Sequence, residues 1–312
     1  MSWFHKQTAK TPTSAARRAQ RANRSQRSGM SNDSGADTSF SDMKPSMPAT
    51  PVIVPDLLPT DAQERVRLDF QSYVLRAALH SNTLAPVRDP ESVLDVGCGS
   101  GRWALEIAQT YPASYVLGVD LVPPSLDDMT DRPHNLTFAQ VNLFDGLPFS
   151  DGVFGYVHQR LLYLALPITA WPEVIGELAR ITRSGGWVEI VEGDLARSGG
   201  PALELAMGWL LQLGAQRGID PRMGSQSGRL LREQGLRNLV VREVELPIGV
   251  YGGRIGNMMA ANFFALLDAL RKPLLASGVT NAQTFERALV EMRYEMTRWR
   301  YTQPLYIAYG QR

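Results

Sequence analysis

The chain is poor in residues that build covalent crosslinks and metal sites. Its 312 residues include one cysteine, Cys98. A single thiol excludes an intrachain disulfide framework and a thiolate zinc site, and it fits a reducing, cytoplasmic setting. The four histidines, His5, His80, His134 and His158, show no paired ligand spacing, so no metal centre is expected. Long apolar runs are also missing. The longest, at 203–213 and 258–270, are interrupted by Glu204, Gln212, Asn262 and Asp268, and they fall short of the ~20 residues a membrane span requires. No apolar signal-peptide core stands near the start.

Charge of one sign is absent locally although it balances globally. Lysine plus arginine total 32 against 31 acids, yet the first thirty residues hold no acid while carrying Lys6, Lys10, Arg17, Arg18, Arg21, Arg24 and Arg27. Ser, Thr, Gly and Pro dominate as far as residue 55, with too few apolar groups to offset the entropy of ordering. Residues 1–55 therefore read as a disordered, basic, Ser/Arg-rich tail, and 56–312 as one folded domain. The tail has two other readings, an organellar transit segment and a basic arm that touches anionic polymers.

What is present begins with Val93-Leu94-Asp95-Val96-Gly97-Cys98-Gly99-Ser100-Gly101. An apolar strand ends in an acid, three alternating glycines make a turn, and a helix-like run follows from Trp103. Glycines let main-chain N–H groups approach a ligand with no Cβ in the way, and the helix start adds unpaired donors. The spacing differs from the G-x-G-x-x-G of dinucleotide folds, and the Gly-Lys-Ser/Thr ending of a triphosphate loop is missing. The pattern points to a nucleoside.

Around this loop the sequence alternates. Helix is predicted at 62–79, capped by Asp61 with Glu64 at the capping-box interval and with Val66, Phe70, Tyr73, Val74 and Ala77 at helical spacing. Strands are predicted at 93–96, 115–120, 137–141, 153–158 and 187–192, with helices at 103–110 and 171–182 between them. Such order implies a Rossmann-like, doubly wound α/β sheet with ligands beyond the carboxyl ends of the strands. Later helices are expected at 202–217, 226–234, 255–275 and 282–298, with strands at 239–246 and at 305–309, the last opened by Pro304. At the strand ends, Asp120 is placed to accept from ribose hydroxyls. Asn142 either bonds an adenine edge or forms a turn, and Leu143 packs the ring face.

These segments resemble the ordered motifs of class I methyltransferases that use S-adenosylmethionine: the glycine loop, Gly118-Val119-Asp120, the run from Asn142 to Phe149, and Ile181-Thr182-Arg183-Ser184-Gly185-Gly186-Trp187. The likeness runs from Asp61 to Arg312. It implies a seven-stranded sheet with the last strand antiparallel, helical lid insertions, and S-adenosyl-L-methionine held by Asp95, Gly97, Gly99, Gly101, Asp120, Leu121, Asn142 and Leu143. The chain departs from the pattern at Phe154-Gly155, where many members carry an acid, and at Asn142, where they carry Asp. Upstream, Arg67 to Tyr73 followed by Leu84-Ala85-Pro86-Val87 resembles the lid helix of a branch containing fungal regulators of secondary metabolism and bacterial small-molecule methyltransferases. There Gln71 or Tyr73 reaches the methionine end, or Tyr73 simply sits on the core face.

The methyl acceptor is harder to read. His158, ending the fourth strand, is the candidate base, or else it shapes the pocket. Arg160 and Tyr163 either orient an anionic or aromatic substrate or serve as a solvated Arg and a packed Tyr. Glu192 and Asp194 are either substrate contacts or loop acids. The turn after the fourth strand reads His158-Gln159-Arg160-Leu161, without the Pro-Pro-Tyr/Phe signature of amino-methylating nucleic-acid enzymes. Neither a Pro-Cys nucleophile nor the carboxylate cluster of metal-dependent catechol enzymes is present. The expected function is methyl transfer to oxygen, nitrogen or carbon of a small organic acceptor in specialised or quinone-like metabolism, with a homodimer allowed and nucleic acid not expected. The alternative is a regulatory, cofactor-binding relative that acts through protein partners.

Overall fold

The computed structural model describes residues 57–125 and 132–312; the expected tail and its boundary at residue 55 lie outside them. Helix α1, Ala62–Leu79, starts at Asp61, whose Oδ1 accepts from the Glu64 backbone N–H at 2.9 Å. Strand β1 is Ser92–Val96, helix α2 Arg102–Thr110, β2 Tyr115–Asp120, β3 Leu136–Gln140 and β4 Phe154–Arg160. Helix α3, Trp171–Ile181, leads directly into β5, Thr182–Gly193. Then come α4 (Pro201–Arg217), α5 (Ser227–Glu233), β6 (Arg237–Ile248), α6 (Gly253–Ala269), α7 (Arg271–Ala276), α8 (Ala282–Glu295) and β7 (Tyr301–Gln311).

The seven strands form one sheet in the order β3-β2-β1-β4-β5-β7-β6. Strands β1 to β5 pair in parallel, and β7 inserts antiparallel between β5 and β6. The expected doubly wound sheet with its last strand antiparallel is thus the one observed. All five residues of β1 are buried, as a central parallel strand covered on both faces must be. The order reverses beside β1, whose carboxyl end, with that of β4, opens the crevice where ligands sit.

Three local expectations change. The helix expected over 255–275 breaks at Leu270, because Pro273 has no N–H to continue the ladder. Strand β7 begins at Tyr301, so Pro304 lies inside it. The β5 ladder ends at Gly193↔Leu305, and just past it Pro304 takes part on that flank through its carbonyl alone, which accepts from Asp194 N–H at 3.1 Å, so the missing donor interrupts no regular ladder bond. On α1 the expected apolar set splits: Val74 is buried and Phe70 packs against the core, whereas Val66 is 69% exposed and Tyr73 also faces outward, and Glu64, Arg67 and Ser72 are buried with Val74 and Leu75. This helix covers a polar cavity as well as an apolar core, so its buried face carries charge.

Candidate cofactor and acceptor site

A cavity of about 290 Å³ lies at the carboxyl ends of β1, β2 and β4. Its floor is the turn from Gly97 to Ser100, its roof is α1, and its far wall is the loop after β4, Leu161 to Leu166. Gly97 and Gly101 have φ of +67° and +75°, the left-handed region that costs other residues energy. A Cβ on Gly97 would stand 2.6 Å from Leu162 Cδ2, and one on Gly101 would stand 2.5 Å from Phe138 Cζ. Gly97 and Gly99 therefore line the cavity as expected. Gly101 is a correction: it does not border the cavity, and it is needed because the Phe138 ring packs against the N-cap of α2.

Asp95 and Asp120 both line the cavity. Asp120 Oδ2 accepts from Gly99 N–H at 2.8 Å and Oδ1 from Val122 N–H at 3.0 Å. The same carboxylate thus braces the glycine loop and keeps lone pairs for a ribose. Leu121 and Leu143 border the same end. Asn142 also borders it, yet its side chain is spent locally. Its Oδ1 accepts from Phe144 N–H at 3.2 Å and its Nδ2 donates to Asp145 Oδ2 at 2.9 Å, so the turn-forming reading describes its side chain. Cys98 sits in the loop with its thiol pushed well up, first by burial and then by Asp95 and Asp120, which keeps it protonated and unreactive.

The expected base is not on the cavity wall. His158 is 1% exposed and stacks on Trp103, with centroids 3.7 Å apart and planes 6° from parallel. Its Nδ1 lies 2.9 Å from Asp95 Oδ1, its register partner on β1. A side chain leaving a central strand points to one face of the sheet, and here that face is filled by α2. His158 orients Asp95 instead of meeting an acceptor.

Glu192 is likewise displaced from its expected substrate contact. It is fully buried behind the loop after β4, accepting from Leu162 and Tyr163 N–H at 3.0 Å each and from Gln159 Nε2 at 3.2 Å. Burial outweighs these hydrogen bonds and pushes its carboxyl from 4.5 to about 7. Glu192 holds the wall that others present. Asp194 accepts from its neighbour Leu195 N–H and does not border the cavity. Tyr73 is 36% exposed, and its hydroxyl accepts from Arg254 Nη2 at 2.7 Å; it belongs neither to the core nor to the cavity, whereas Gln71 lines it.

Arg160 and Tyr163 do border the cavity. Arg160 Nη2 donates to Ser72 Oγ at 3.0 Å, and burial lowers its pKa against the pull of Asp95, Glu106 and Glu189. Leu161, between them, has φ of +57°, a conformation uncommon for Leu that functional loops retain when their surroundings enforce it. Sequence reasoning missed Glu64, Arg67 and Ser72 as wall residues. A signal for them exists, since positions 64, 67, 68, 71 and 72 recur at helical spacing and form one stripe facing the cavity.

The residues present fit S-adenosylmethionine: a glycine cradle, a ribose-competent acid at the end of β2, and the half-buried Arg160 guanidinium on the wall of the same cavity. When bound, this cofactor supplies an electrophilic methyl on a sulfonium. Among the described residues no cluster could hold a metal ion, and no helix is long and apolar enough to cross a membrane. Residues 93–186 match the Methyltransf_25 family, a methyltransferase domain. The chain is 32% identical over 202 residues to methyltransferase str3 of Strobilurus tenacellus, covering 62% of this chain and 70% of that protein. It is 29% identical over 226 residues to the N-methyltransferase sirN of Leptosphaeria maculans, covering 69% and 79%. A shorter match, 31% over 141 residues, joins it to the secondary metabolism regulator laeA of Aspergillus fumigatus, covering 44% of this chain and 36% of that protein. With the sheet order, the glycine cradle and these relatives together, the chain belongs to the class I S-adenosylmethionine-dependent methyltransferases.

Proposed function

We propose that the chain transfers the methyl group of S-adenosylmethionine to a nitrogen of a small, largely apolar acceptor in specialised metabolism. The cofactor is held by Gly97, Gly99, Asp95, Asp120, Leu121 and Leu143, with Arg160 facing its methionine end. The observation that carries the choice of nitrogen is the make-up of the cavity wall. Among the described residues it has no histidine or lysine, Asp95 is engaged by His158, and Glu64 is engaged by Arg67. The lone pair of a neutral amine displaces the sulfonium sulfur directly, giving S-adenosylhomocysteine and a methylated ammonium that releases its proton to water, so no base is needed before attack and positioning supplies the acceleration, roughly 7–11 kcal/mol. The name of sirN as an N-methyltransferase agrees with this reading. Leu57, Leu58, Leu162, Leu164 and Leu266 give the wall its apolar character. The test is incubation with methyl-labelled cofactor and a panel of paired small amines and phenols, read by mass spectrometry. Labelled amines support the proposal, and label carried only by phenols refutes it.

A further inference from the structure

Two buried polar atoms on facing helices have no partner. On α1, Arg67 is 7% exposed; its Nε and Nη2 donate to Glu64 Oε2 and Oε1 at 2.7 and 2.6 Å, and Nη1 bonds nothing. On α6, Asn262 is 5% exposed and its Oδ1 bonds nothing. A buried donor or acceptor left unmade is costly. Both atoms therefore need an account that the fold alone does not give.

Their placement supplies one. Arg67 lines the main cavity, while Asn262 lines a smaller hollow of about 20 Å³. Gln71, Leu161, Tyr163 and Leu266 border both spaces. Gln71 follows Arg67 by one helical turn, and Leu266 follows Asn262 by one turn, so the two hollows lie side by side between α1 and α6 and share these walls. No residue of the glycine turn lines the smaller one, which sets it outside the cofactor cradle. The bidentate Glu64 carboxylate already neutralises Arg67, and a second anion would be repelled by Glu64. Tyr163 beside it stays protonated, its pKa pushed up to about 12 by burial.

We propose that Arg67 Nη1 and Asn262 Oδ1 form the recognition pair for the methyl acceptor, donating to a neutral carbonyl oxygen and accepting from an N–H or O–H of the same uncharged molecule. The inference rests on the methyl-transfer reading and names the chemical class that site selects. Carboxylates and phosphates are disfavoured, and uncharged carbonyl compounds with a hydrogen-bond donor are selected.

The experiment uses the full chain saturated with S-adenosylhomocysteine and titrates benzamide and benzoate, of similar shape and different charge, by ligand-observed NMR. Benzamide is expected to bind at least about 10-fold more tightly. The double substitution Glu64→Gln/Arg67→Met removes the ion pair as a unit and leaves no lone buried charge; it should erase the preference, as should Asn262→Leu. Calorimetry with S-adenosylhomocysteine reports whether each variant is folded. Equal or tighter benzoate binding, binding of neither probe, or a preference surviving in the folded variants overturns the proposal. If amines go unmethylated while the benzamide preference holds, the nitrogen assignment falls and the recognition pair stands; the reverse result separates them the other way.

Discussion

Replacing Glu192 with glutamine tests whether the wall after β4 is held by a carboxyl that titrates near neutrality. Burial raises this group from 4.5 to about 7 despite its three N–H donors, because desolvation of the charged form outweighs them. Between those two values the folded state keeps a proton that the unfolded chain has released. The stability contributed by the raised pKa is therefore fully present below about pH 4.5 and lost as pH rises through about 7. At 1.36 kcal/mol per pH unit, the loss amounts to roughly 3 kcal/mol. Glutamine cannot ionise, so the difference in unfolding free energy, variant minus parent, should rise by that amount between about pH 4.5 and pH 8. Its amide faces one of the two backbone donors and adds an offset of ~1–3 kcal/mol that does not depend on pH. Urea unfolding at several pH values measures the difference, in which every other titrating group cancels. A flat difference across that range would refute the reasoning and show Glu192 ionised throughout, its burial offset by Arg160 and the loop donors.

Three further outcomes are expected. Gly97→Ala places a methyl 2.6 Å from Leu162 Cδ2 at φ +67°, so the turn must shift and calorimetry should show S-adenosylmethionine binding weakened at least about 10-fold, a change of about 1.4 kcal/mol; unchanged affinity would mean the turn is not the cradle. Asp120→Ala removes the acceptor that braces Gly99 N–H and should cost about 1.5–3 kcal/mol of cofactor affinity, with a Kd shift below twofold counting against it. His158→Phe keeps a ring against Trp103 but strips Asp95 of its partner, so a thermal-unfolding cycle with Asp95→Asn should show coupling of about 0.5–3 kcal/mol. Additive effects would remove the positioning role.

Most of the sheet was legible because its signals are local. The apolar runs at β1 and β2 and the glycines between β1 and α2 specify a strand, a turn and a helix without reference to anything distant, and Asp61 capped α1 as its position suggested. The site was legible only where backbone geometry makes it, at Gly97, Gly99, Asp95 and Asp120. It is misread where depth along a strand decides a side chain's role. His158 and Arg160 are two residues apart on one strand and share a face, and the first is expected as a base and the second as a substrate contact, yet His158 lies inside the sheet under Trp103 and Arg160, at the strand's end, reaches the cavity.

What the sequence determined by itself is the cofactor side: a nucleoside cradle follows from glycine spacing and a strand-end acid, because both act through main-chain conformation. What only the tertiary structure decided is the acceptor side. The polar stripe of α1 reads as an exposed face until packing shows that it covers the cavity, and Glu192 reads as a substrate contact until the loop it anchors is seen in front of it. Placements such as Arg67 on the cavity wall, and Asn262 of α6 on the adjoining hollow, bring together residues far apart in the chain. Their meaning depends on which groups remain unpaired after folding, and no local pattern encodes that.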